Sequence, residues 1–162
     1  MKTRKVKGSM LVYMAGLALA GTLFLSACEK EKEDTTPANV KYSISGAASG
    51  AQEVPAVATT ATGNLTGSYD TVSKQLIYSI TWSGLSGDVT LAHFHGPALS
   101  GEIAGVLEPL SILTNGTAGT AADTITASAA LHSALLAGKV YYNLHTAANP
   151  DGEIRGQVNL SQ

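Results

Sequence analysis

Residues 75–82 read QLIYSITW. Leu76, Tyr78, Ile80 and Trp82 alternate with Ile77, Ser79 and Thr81. Successive side chains of an extended chain point to opposite faces, so this period of two predicts a strand with one face in a core. Working outward, Asp70-Thr71-Val72-Ser73-Lys74 supplies turn residues, and 64–69 is predicted to form the returning arm of a hairpin. Further strands are predicted at 40–45, 89–95, 103–107, 124–128, 139–145 and 153–160. One short helix is predicted over 129–137, with leucines at 131, 135 and 136 and Gly138 placed to end it. The stretch 47–61, with Gly50 and Pro55, and the Gly/Ala/Thr-rich stretch 114–122 are predicted to be irregular. Short strands divided by turns give an all-β class, an antiparallel sandwich or barrel.

The amino-terminal segment is of another kind. Lys2, Arg4, Lys5 and Lys7 precede an apolar run from Met10 to Leu25, the layout of a secretory signal over residues 1–27. The run falls short of the roughly 20 apolar residues a spanning helix needs, and Gly16 and Gly21 interrupt it. It ends in Leu25-Ser26-Ala27-Cys28, which resembles a bacterial lipobox, so Cys28 is the expected site of lipid attachment. Cys28 is the single cysteine in the chain, which excludes an intrachain disulfide and leaves an exported thiol that lipidation would account for. The charged linker that follows, 28–39 with its Glu29-Lys30-Glu31-Lys32-Glu33-Asp34 run, has no apolar face to bury and reads as a solvated tether. An acidic stretch in this position also resembles a surface-export signal of bacterial lipoproteins. The expected location is therefore the cell envelope, lipid-anchored at the outer membrane, with the periplasmic and surface faces both open.

Residues 40–162 have the length of one ordinary domain. Its few cations, Lys41, Lys74, Lys139 and Arg155, are scattered among more numerous acids, so nucleic acid is not an expected partner. No phosphate-binding glycine loop and no serine elbow is present. The expectation is a non-enzymatic protein.

Two of the four histidines stand one residue apart, His93 and His95, and the segment that follows them occurs twice. HGPALSGEIAG (95–105) and HTAANPDGEIRG (145–156) each pass from a histidine through a proline-containing connection to Gly-Glu-Ile-x-Gly. Both predict one hairpin design, with the glutamate opening the outgoing strand. Alternation then puts Tyr142, Leu144, Ile154, Val158 and Leu160 on an apolar face and Asn143, His145, Glu153, Arg155, Gln157 and Asn159 on a polar one. By analogy Ala92, Phe94 and Ile103 point inward, and His93, His95 and Glu102 outward. If the hairpins are neighbours, His93, His95 and His145 meet on one polar face beside Glu102, Glu153 and Arg155.

Two chemistries suit that meeting. Three imidazoles from paired strands suit Zn²⁺ or Cu²⁺, although no cofactor is firmly implied. The reading preferred from the residues is a staple, in which the histidines hydrogen-bond to Glu53, Glu102 or Glu153 and Arg155 pairs with a carboxylate to fix strand register. A glycosidase pair of Glu102 and Glu153 is a weaker third option.

Gln52-Glu53-Val54-Pro55, Gly63, Ala92-His93-Phe94-His95-Gly96-Pro97-Ala98 and the run from Tyr141 to Val158 together resemble the CHRD (chordin-type) domain across 40–162. Phe94 stands where that family more often carries an aliphatic residue. The resemblance implies an immunoglobulin-like β-sandwich and, by analogy, a binding or adhesion role toward a protein or envelope ligand. It implies no reaction.

Overall fold

The computed structural model describes residues 39–162. The expected signal peptide over 1–27, Cys28 and all of the linker but Asn39 lie outside the described residues. Among the described residues no helix is long and apolar enough to cross a membrane.

The domain is an antiparallel β-sandwich with one short helix. Its strands are β1 (Lys41–Ser49), β2 (Thr62–Asp70), β3 (Gln75–Ser83), β4 (Val89–His95), β5 (Val106–Pro109), β6 (Ile112–Thr114) and β7 (Gly119–Thr126). After the helix α1 (Ala129–Leu136) come β8 (Tyr141–Thr146), β9 (Ile154–Gln157) and β10 (Asn159–Ser161). They form one curled sheet in the order β5-β4-β8-β9-β1-β2-β3-β7-β6, with β10 also paired to β1. The seam is thin, because β9 is paired in register with β1 only at Ser49 and Arg155. There the sheet folds so that its two halves face each other. Tyr78 of β3 meets Phe94 of β4 edge to face at 5.3 Å, and the Tyr142 hydroxyl of β8 donates to Gly46 O of β1 at 2.9 Å.

The period of two in β3 is realised, since Leu76, Tyr78, Ile80 and Trp82 are all buried and the residues between them exposed. Each such side chain contributes roughly 1.5–3 kcal/mol by leaving water. The 70–74 turn joins β2 to β3 as expected, with Asp70 Oδ1 accepting from Val72 N and Ser73 N. The helix closes one end of the core with Leu131, Ala134 and Leu135. Ser128 caps it by accepting from Leu131 N, and Gly138, at φ 66°, follows its end.

Several boundaries differ from expectation for identifiable reasons. The 114–122 stretch is not a loop throughout: β6 ends within it and β7 begins at Gly119. Small residues there leave room for a large neighbour, since a Cβ on Gly119 would lie 2.4 Å from Trp82 Cζ2. Likewise β1 runs on to Ser49, inside the segment expected to be irregular, because it pairs with β2 along its whole length.

The repeated hairpin is only half a repeat. In the second copy Glu153 immediately precedes β9, and Ile154 pairs with Leu144 in the core. In the first copy β5 starts only at Val106, while Ile103 is 72 % exposed instead of pointing inward. Glu102 accordingly opens no strand. The cause lies in the second copy, whose Arg155 and Gln157 draw the 96–105 loop down over their own face. Arg155 donates to Glu102 O at 2.7 Å and Leu99 O at 3.2 Å, and Gln157 donates to Ala98 O at 3.0 Å.

Candidate functional site

Strands β4, β8 and β9 lie side by side, with His93 opposite Asn143, Leu91 opposite His145, and Asn143 opposite Arg155. This register carries His93, His95, Tyr141, Asn143, His145, Arg155 and Gln157 onto the face away from the core. That face was expected to be polar and outward. Instead it is a second, polar interior: His95, Asn143, His145 and Arg155 are buried, and His93 is half-buried. The 96–105 loop covers one end of it.

The three histidines converge. Each offers a ring nitrogen such that the three atoms lie within 4.8 Å of one another. His93 stands edge-on to His95 and His145, with ring centroids 5.4 and 5.2 Å away. Both buried rings are fixed at Nδ1 by backbone carbonyls, His95 by Ala104 O at 3.0 Å and His145 by Pro150 O at 2.8 Å. Their Nε2 atoms both face the Asn143 carboxamide, each 3.0 Å from Oδ1. His93 Nδ1 is buried without a partner. Burial lowers the pKa of His93, helped by His145 and His95, and burial likewise lowers that of His95. Both rings therefore favour the neutral form at neutral pH, which is the form that accepts a metal.

Among the described residues Arg155 forms no ion pair. Its guanidinium lies 3.5 Å from the centroid of the Tyr141 ring, on which His95 also stacks at 4.8 Å. The ion pair among the described residues is Lys41 with Asp70, at the surface. The expected carboxylate partner is replaced by two carbonyls and an aromatic face, an arrangement that suits a planar, weakly hydrated cation.

The three glutamates have separate circumstances, and the hydrogen bonds of His95 and His145 go to Ala104 O, Pro150 O and Asn143 instead. Glu102 sits on the exposed loop, where its Oε2 accepts from Leu99 N at 2.9 Å. Glu153 is fully buried and saturated, accepting from Ser86 N, Ser86 Oγ, Thr146 Oγ1 and Thr59 Oγ1. Burial opposes its ionisation, yet those hydrogen bonds outweigh burial and hold its carboxyl below the ordinary value. It ties the start of β9 to the loops before β2 and β4. Glu53 is buried behind Asn143, with Oε1 unpartnered. Burial pushes its pKa up to about 7 against the opposing pull of Arg155 and Asn143.

Asn143 is the site residue that was not singled out from sequence. It stands two residues before His145 on the same strand, so alternation alone placed it on the correct face. His132, by contrast, belongs to the helix packing, beside the Tyr69 hydroxyl.

The CHRD domain family model matches residues 44–158. No curated protein and no solved structure matches the chain.

Proposed function

The chain belongs to the CHRD domain family, and from that premise we propose that it is an exported, lipid-anchored envelope protein whose sandwich is a non-enzymatic binding module. The ligand of its polar interior is a metal ion, Zn²⁺ or Cu²⁺, held by His93, His95 and His145. The observation that carries this reading is the mutual approach of three ring nitrogens within 4.8 Å. Nitrogens bonded to zinc at about 2.0–2.1 Å in tetrahedral geometry stand roughly 3.3 Å apart, so a modest contraction of the cluster suffices. Two further features support it. Carbonyl anchoring at Nδ1 is the usual outer support of a metal-binding histidine, and the orphaned His93 nitrogen lacks any other employment.

Elemental analysis of protein purified without a histidine tag, before and after reconstitution with zinc and copper, tests the assignment. Stoichiometric metal is expected, and His93→Ala or His145→Ala should weaken binding by more than roughly 100-fold, beyond what loss of an outer supporting group does. Folded wild-type protein that takes up neither metal would overturn the site and leave a structural staple.

Anchoring rests on the LSAC sequence at 25–28 and on the single cysteine. Cys28→Ser should move the mature protein from the membrane fraction to the soluble fraction. Unchanged membrane association of that variant would exclude a lipid at Cys28.

A further inference from the structure

The hydrogen bonds around Asn143 contain an inconsistency with a single resolution. A backbone carbonyl can only accept, so the contacts of His95 Nδ1 with Ala104 O and of His145 Nδ1 with Pro150 O require hydrogen on both Nδ1 atoms. A neutral imidazole carries one ring hydrogen, so both Nε2 atoms then present bare lone pairs. Yet both point at the position of Asn143 Oδ1, itself an acceptor. Doubly protonated rings would remove the clash only by placing two cations, with ring centroids 6.4 Å apart, in a buried layer. A half-turn of the carboxamide exchanges its oxygen and nitrogen without changing its shape.

We propose that Asn143 presents its amide nitrogen to the histidines, one N–H to each Nε2, and acts as the positioning residue that holds the His95 and His145 lone pairs toward one point as a ready-made ligand pair. Metal entry replaces those two hydrogen bonds. The other end of the amide can accommodate the turn. A Cβ on Gly152, which stands at φ +126°, would lie 2.4 Å from Glu53 Oε1 and 2.8 Å from Asn143 Nδ2, the amide atom that the turn exchanges for oxygen. Those two atoms therefore share one tight corner. With the amide oxygen outward, Glu53 as a neutral acid donates to it, and the unpartnered Oε1 acquires a bond. The raised Glu53 pKa agrees with a protonated group there. Every donor and acceptor in the chain from Glu53 to the two carbonyls is then satisfied.

The metal half of this inference rests on the proposed function, whereas the direction of the amide does not. Long-range ¹H–¹⁵N spectra of the full-length, metal-free protein in detergent read the tautomers directly. His95 and His145 should both show hydrogen at Nδ1 and none at Nε2 at neutral pH. Hydrogen at Nε2 of either ring would overturn the proposal. Asn143→Asp keeps the shape and removes the N–H donors, so at least one ring should gain hydrogen at Nε2. Unchanged tautomers in that folded variant would also overturn it. On titration of the wild type with zinc, the Nε2 resonances should move while both Nδ1–H signals persist; loss of Nδ1–H would contradict the positioning role. Failure of zinc to bind while the Nδ1–H tautomers persist would refute the metal function and uphold the amide assignment.

Discussion

Arg155→Ala should lower the stability of the domain by about 3–5 kcal/mol. The side chain is 2 % exposed and its guanidinium makes two hydrogen bonds to carbonyls and one aromatic face contact. Charge-assisted hydrogen bonds contribute about 1.5–3 kcal/mol each, and a desolvated cation–π contact about 2 kcal/mol. These do not add fully, because all three hold one group in one place. The truncated residue leaves Glu102 O without its donor and Leu99 O with Glu102 N alone, and it releases the loop that covers His95. Urea unfolding should report the loss, and the melting temperature should fall by roughly 10–20 °C for a domain of this size. Arg155→Lys should recover less than half, since one ammonium cannot serve two carbonyls and lie flat on Tyr141. A loss below about 1 kcal/mol for the alanine variant would show that the loop is held by other contacts.

The same residue explains what could and could not be read from the chain. Alternation placed Arg155, His145 and Asn143 on one face of the second hairpin, and it placed Leu76 to Trp82 in the core. Both are local properties of an extended backbone. The neighbouring of the two hairpins was also suggested by their repeated sequence, and the register of β4 on β8 brings the histidines together. Burial of the polar face was not legible, because it depends on a loop from one hairpin folding over the other. Identical Gly-Glu-Ile triplets therefore end in opposite environments, with Glu153 sealed and Glu102 exposed. Asn143 was passed over because an amide carries no charge to draw notice, although its spacing from His145 was visible. Strand β7 was missed where glycine and alanine make room for Trp82, since small residues erase the pattern that apolar alternation leaves.

Glu53→Gln should change the pH dependence of stability more than any other substitution of the polar layer. The folded-state pKa of Glu53 is about 7, raised from 4.5 by burial. Below 4.5 the group is protonated in both folded and unfolded chains, and its contribution is fully present. Between 4.5 and about 7 the unfolded chain ionises while the folded one retains its proton, so stability falls as pH rises, and the loss is complete above about 7. The interval between the two values corresponds to about 3 kcal/mol. His93 and His95 act in the reverse sense. Their lowered values mean that their contribution is present above the ordinary histidine pKa and is lost as pH falls through the folded value. Those residues are unchanged in the variant, so the difference between wild type and Glu53→Gln isolates the glutamate. Glutamine can hydrogen-bond to the Asn143 amide in either sense and cannot ionise. The variant should therefore gain about 3 kcal/mol on the wild type between pH 4 and pH 8, measured by urea unfolding across that range. A difference that stays flat across the range would mean that Glu53 ionises in the folded protein as readily as in the unfolded chain. Coupling to Arg155 gives an internal control. Arg155 favours the ionised glutamate, so in the Arg155→Ala background the folded pKa should rise further and the stabilisation by Glu53→Gln at pH 8 should grow.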